Sequence, residues 1–136
     1  MKVTKTKILG VVIIKPTVHS DKRGYFFESF KRSDFQEHGL PTHFVQDNQA
    51  KSTKGVLRGL HYQLEYPQGK LVWVTAGKVM DVAVDIRKES PTFGQHVSTA
   101  LDDKTHNRLY IPPGFAHGYY VLSGTAVFQY KCTDYY

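Results

Sequence analysis

Val79-Met80-Asp81-Val82-Ala83-Val84-Asp85-Ile86 alternates its side chains at period two, so an extended strand carries Asp81, Ala83 and Asp85 on one face and Val82, Val84 and Ile86 on the other. Ala76-Gly77 makes a tight turn into this strand from another at Lys70 to Thr75, and Arg87 to Gly94 reads as a longer loop behind it. Downstream, strands fall near Gln95 to Leu101, Arg108 to Ile111, Gly118 to Leu122 and Ala126 to Lys131. Upstream, Glu65 to Gly69 turns the chain, Val56 to Gln63 is extended, Ala50 to Gly55 is a polar turn, and His43 to Gln49 is a further strand. Lys31 to His38 forms one short helix around Phe35, capped by Ser33 or Asp34 and stopped by Gly39 and Pro41. Before it, Tyr25 to Phe30 is a strand after the turn Ser20 to Gly24, and Leu9 to Lys15 is an apolar strand, either covered or lying between subunits. Many short strands punctuated by glycine indicate an all-β antiparallel sandwich or barrel with at most one short helix, closed around a small polar pocket.

The 136 residues suit one core, so residues 1–136 are expected to form a single domain. Hydrophobic residues make up 40% and aromatic residues 13%, the profile of a folded and sheet-rich chain. A net charge of +6 favours anionic partners. The basic residues are scattered in ones and twos, however, which argues against nucleic acid. Cys132 is the only cysteine, so no intrachain disulfide forms and a reducing, cytoplasmic location is expected. The apolar stretch Ile8 to Ile14 is short, contains Gly10 and runs into Lys15-Pro16, which reads as a strand rather than a signal peptide. No stretch approaches a membrane span, and no membrane partner is expected.

Three polar clusters interrupt the strands. In Leu57-Arg58-Gly59-Leu60-His61-Tyr62-Gln63, strict alternation places Arg58, Leu60 and Tyr62 on one face and His61 and Gln63 on the other. Ile111-Pro112-Pro113-Gly114-Phe115-Ala116-His117-Gly118 fixes a tight turn that delivers His117 to the start of a strand. The third cluster is Tyr130-Lys131 with Asp134-Tyr135-Tyr136. A metal-binding barrel would place a second histidine two residues after His61, where Gln63 stands, and Glu65 falls in a turn. No metal is therefore expected.

The chain resembles the dTDP-4-dehydrorhamnose 3,5-epimerase family, nucleotide-sugar epimerases of the cupin type. The resemblance rests on Asp21-Lys22-Arg23-Gly24-Tyr25-Phe26, Phe44-Val45-Gln46-Asp47-Asn48, Lys54 to Gln63, Asp81 to Arg87, Ser90-Pro91-Thr92-Phe93-Gly94, Ile111 to Gly118 and Tyr130 to Tyr136. It implies a cofactor-free, metal-independent jelly-roll barrel, dimeric, with the N-terminal strand crossing to the partner. The implied substrate is a dTDP-linked 4-keto-6-deoxyhexose, epimerised at C3 and C5.

The same resemblance makes His61 the general base, suited by an imidazole pKa of about 6.5, and Tyr130 the acid on the opposite side of the sugar. It makes Lys70 the support for negative charge on the C4 oxygen and Arg58 a phosphate ligand. Arg23 reaches the nucleotide from the partner's N-terminal region. Glu28, Gln46 and Asn48 form the thymidine wall, His117 contacts or supports the sugar, and Tyr136 closes over sugar or base. Structural alternatives stand beside these roles: a core histidine at His61, a solvated edge lysine at Lys70, a surface pair for Arg23 and Glu28, and strand-edge bonding for Gln46 and Asn48. The family runs several dozen residues further, and that stretch holds the aspartate paired with the histidine base; within the present sequence Asp81 and Asp85 are the strand carboxylates open to a histidine. The readings left are a shortened or incompletely represented epimerase, a 3-epimerase or 3,4-ketoisomerase, and a non-catalytic nucleotide-sugar-binding barrel.

Overall fold

The computed structural model describes residues 1–136. Twelve strands form: β1 (Lys2–Lys5), β2 (Val12–Lys15), β3 (His19–Asp21), β4 (Gly24–Phe26), β5 (Gln46–Thr53), β6 (Leu57–His61), β7 (Lys70–Ala76), β8 (Lys78–Asp85), β9 (His96–Asp102), β10 (Arg108–Ile111), β11 (Phe115–Val121) and β12 (Thr125–Cys132). One helix, α1 (Arg32–Glu37), lies between β4 and β5. No helix is long and apolar enough to cross a membrane.

A six-stranded sheet runs β1-β2-β10-β7-β12-β5, a four-stranded sheet runs β6-β11-β8-β9, and β3 and β4 pair as a separate ribbon. All pairings are antiparallel. The two larger sheets face each other across the main core, in which Val72, Val74 and Phe128 of one meet Val79, Ala83, Leu101 and Tyr119 of the other. Each such valine or leucine taken fully from water contributes about 1.5–3 kcal/mol before the cost of ordering the chain. A second cluster on the outer side of the large sheet packs Ile14, Leu71 and Tyr110 against Phe35 of α1.

The expected closed cupin-type jelly-roll barrel is corrected by this topology. Both large sheets are open, ending at β1 and β5 in one and at β6 and β9 in the other. The reason lies at the corner between β5 and β6. Gly55, at φ +86°, lets the chain pass from one sheet to the other, and its N–H bonds to Val121 O of β11. Thereafter β6 pairs with β11 and not with β5. The seam is spanned by side chains, with Arg58 Nε donating to Ser52 Oγ at 2.8 Å.

Several local expectations shift as well. Ala50 to Thr53 belongs to β5 instead of a turn, because each residue pairs with β12. Leu9 sits in the β1–β2 connection, 82% exposed, and only Val12–Lys15 of the apolar N-terminal stretch is strand. β1 pairs with β2 of its own chain. Tyr25 to Phe30 shortens to the ribbon strand β4. The helix cap is Lys31, with no side-chain cap bond, so neither Ser33 nor Asp34 caps it. Gly39, at φ +68°, follows its end.

Candidate active site

Two glycines set the geometry. Gly59 has φ +99°, and a Cβ there would lie 2.6 Å from His117 O; a Cβ on Gly118 would lie 2.7 Å from Arg58 O. β6 and β11 therefore approach as only glycines allow. His61 stands opposite His117 and Arg58 opposite Tyr119, so two residues of β6, Gly59 and Leu60, face the single Gly118 of β11. This is a β-bulge, and it overturns the strict alternation expected for β6. Arg58 and His61 line the same cavity, whereas Leu60 and Tyr62 face solvent. His117 correspondingly lies within β11, not at its start.

That cavity, of about 150 Å³, is bordered by Arg58, His61, Lys70, His117, Tyr130 and Tyr136, with Tyr119 and Phe128 in its wall. Lys70 Nζ lies 5.4 Å from the centre of the Tyr130 ring. Burial pulls the Lys70 ammonium below its ordinary pKa, partly offset by the nearby Cys132 and Asp81. Burial likewise pushes the Tyr130 and Tyr119 phenols above theirs. Tyr130 is thus held as a protonated donor beside a lysine whose charge is poorly screened.

His117 Nε2 lies 2.7 Å from Asp81 Oδ2. A carboxylate only accepts, so the imidazole gives it the Nε2 proton and keeps Nδ1 as its free lone pair. Of the two strand aspartates, Asp81 is the one that meets a histidine, and the histidine is His117. Asp85 is engaged by Arg87, Ser90 and Thr92. Neither aspartate bonds His61.

Gln46 and Asn48 lie at the start of β5 and bond each other at 3.0 Å, and Gln46 Oε1 accepts from Tyr136 N, which joins them to the cavity rim. Arg23 and Glu28 lie outside the cavity. The Arg23 side chain is 91% exposed and paired with Asp21 at 2.7 Å, and Glu28 stands 4.0 Å from Lys31. The sequence reading passed over Ser52, which holds Arg58, and Tyr119, whose ring stacks on Phe128 at 3.9 Å and whose buried hydroxyl has no partner. Tyr119 was detectable, since it shares the period-two face of His117.

A base-capable histidine and a protonated phenol on a common cavity, with a lysine and an arginine in the same lining, define a general acid–base enzyme for an anionic substrate. The model of the dTDP-4-dehydrorhamnose 3,5-epimerase family matches residues 5–136, and the chain belongs to that family. It is 56% identical over 138 residues to the dTDP-4-dehydrorhamnose 3,5-epimerase of Shigella flexneri, covering 100% of this chain and 76% of the relative. It is 52% identical over 132 residues to that of Methanothermobacter thermautotrophicus, covering 97% and 71%. Among solved structures, the Legionella pneumophila dTDP-6-deoxy-D-glucose-3,5-epimerase in complex with dTDP-4-keto-L-rhamnose superposes with a TM-score of 0.96 at 54% identity, covering 99% of this chain and 72% of that one.

Proposed function

We propose that the cavity epimerises dTDP-4-dehydro-6-deoxy-D-glucose at C3 and C5, giving dTDP-4-dehydro-L-rhamnose. The observation that carries this reading is the convergence of His61, Lys70 and Tyr130 on one cavity in a chain of this family. His61 removes the proton from the carbon beside the C4 ketone, and the electron pair moves onto the C4 oxygen. The Lys70 ammonium stabilises that enolate, and its partial burial strengthens the interaction relative to water. Tyr130 returns a proton to the opposite face of the same carbon, which inverts it; His61 then gives its proton to solvent and Tyr130 takes one up, and the sequence repeats at the second carbon. Arg58, positioned by Ser52, binds a diphosphate oxygen. His117, oriented by Asp81, offers Nδ1 to a sugar hydroxyl.

The chain acts as a homodimer in this reading. The β3–β4 ribbon projects Arg23 and Phe26 into solvent, and a second copy receives them at its nucleotide. Incubation with the substrate in deuterated water, followed by NMR, tests the chemistry. Deuterium at both C3 and C5 with inverted product is the expected outcome. Exchange at C3 alone would make the chain a monoepimerase, and binding without exchange would make it a nucleotide-sugar-binding protein.

A further inference from the structure

Tyr119 packs as a core residue yet carries a polar atom that the core does not satisfy. It is 5% exposed, and its hydroxyl is buried without a hydrogen-bond partner. Buried hydroxyls normally find partners, so an unbonded one in the wall of a cavity points to a ligand. The ring is fixed by its stack on Phe128, with centroids 3.9 Å and planes 16° apart. In the strand register Tyr119 stands between Arg58 of β6 and Asp81 of β8. Burial has the largest influence on its phenol and raises the pKa, so the group is a protonated donor. Arg58 and then Ser52 pull that pKa back down, and Asp81 acts least, which places the hydroxyl on the Arg58 side of the cavity.

Arg58 is as incompletely used as its neighbour. It takes part in no ion pair, and its one side-chain bond, from Nε to Ser52 Oγ at 2.8 Å, leaves both terminal nitrogens for a ligand. We infer that Tyr119 is a further substrate-binding residue, whose hydroxyl donates, together with the Arg58 guanidinium, to the diphosphate of the nucleotide sugar. A phosphate oxygen accepts several donors at once, and a neutral donor beside a held guanidinium suits it; the enclosed site strengthens both bonds. A phenylalanine would line the cavity equally well and stack on Phe128, so the hydroxyl and not the ring carries the inference. It rests on the epimerase reading for the identity of the ligand.

Tyr119→Phe removes the hydroxyl and keeps the stacked ring, so the melting temperature without ligand should not fall. Calorimetric titration of both chains with dTDP tests the contact. The dissociation constant should rise about tenfold or more in the variant, the scale of one hydrogen bond to a charged acceptor, and KM for dTDP-4-dehydro-6-deoxy-D-glucose should rise with it. Should the variant melt lower instead, the same titrations are made at a temperature where circular dichroism shows both chains folded. Equal dTDP affinities overturn the inference. So does a raised KM with unchanged dTDP affinity, which would put the hydroxyl on the sugar. Turnover by the wild-type chain decides the epimerase reading separately: dTDP binding that weakens in the variant, without any wild-type turnover, keeps the inference and ends that reading. A wild-type chain that does not bind dTDP overturns both.

Discussion

Asp81 and Asp85 stand four residues apart on the same face of β8, and neither side chain has any solvent exposure, yet their surroundings are opposite. Asp85 is saturated: Arg87 Nε and Nη2 each donate at 3.0 Å, Ser90 and Thr92 hydroxyls donate at 2.6 and 2.5 Å, and Arg87 N donates at 3.0 Å. These bonds, led by the guanidinium, hold its carboxyl well below the usual carboxylate range. The Arg87 side chain in turn lies over Phe115 and fills the space that a Gly114 side chain would need, which clamps the turn leading into β11. Asp81 has one partner, His117, and its buried Oδ1 has none. A buried carboxylate with every lone pair engaged is a fastener. One with an unpartnered oxygen, beside the catalytic cavity, serves orientation at a cost in stability.

The largest effect is expected in the cavity that Asp81 adjoins through His117. His61→Asn should cut turnover by about 10³-fold, the scale of a lost general base, with the melting temperature unchanged because His61 is exposed. Steady-state rates and a thermal melt check both halves. Asp81→Asn should lower kcat/KM by about 100-fold through loss of the His117 tautomer that meets the sugar hydroxyl, with little change in stability. A parallel fall in stability would mean that Asp81 is a fastener too.

Asp85→Asn should do the reverse. Destabilisation of about 3 kcal/mol is expected, a fall in melting temperature on the order of 10 °C, with the rate per folded molecule retained. The sign of its pH dependence follows from the lowered pKa. The unfolded carboxyl takes up its proton first as pH falls, so the wild-type contribution is complete above the ordinary aspartate pKa of 3.8 and is lost below it. The variant should therefore lose less stability than the wild type between about pH 4 and pH 2, read by denaturant titration. Ser90→Ala, which deletes one of the bonds to Asp85, is the smallest step, at about 1 kcal/mol and no change in rate.

Much of the sheet was legible in advance because alternation is a property of the strand alone. The period-two pattern of β8 and the boundaries of β10 were readable directly, and the motif blocks carried the family and the residues that border the cavity. The β6 face was misread because Gly59 opens a bulge, and its only local sign was a glycine within a strand. The Ala50–Thr53 segment looked like a turn from its polarity, yet it is paired along its whole length with β12. Tertiary pairing outweighs local composition there. The isolation of the Tyr119 hydroxyl gave no warning at all, since it is defined by what Arg58, Ser52 and Asp81 fail to offer it.

The sequence by itself determined that the chain folds into antiparallel strands with one short helix, which residue types are available for acid–base chemistry, and which family they belong to. Only the tertiary structure decided that the carboxylate face of β8 points inward, that Arg58 and His61 share a cavity, and that the two sheets stay open with a seam bridged by Arg58 and Ser52. Periodicity orients each side chain relative to its own backbone. Which side of that backbone meets another sheet depends on partners far along the chain, as His117 and Asp81 are, 36 residues apart, and a buried charge is tolerable only where such a partner arrives.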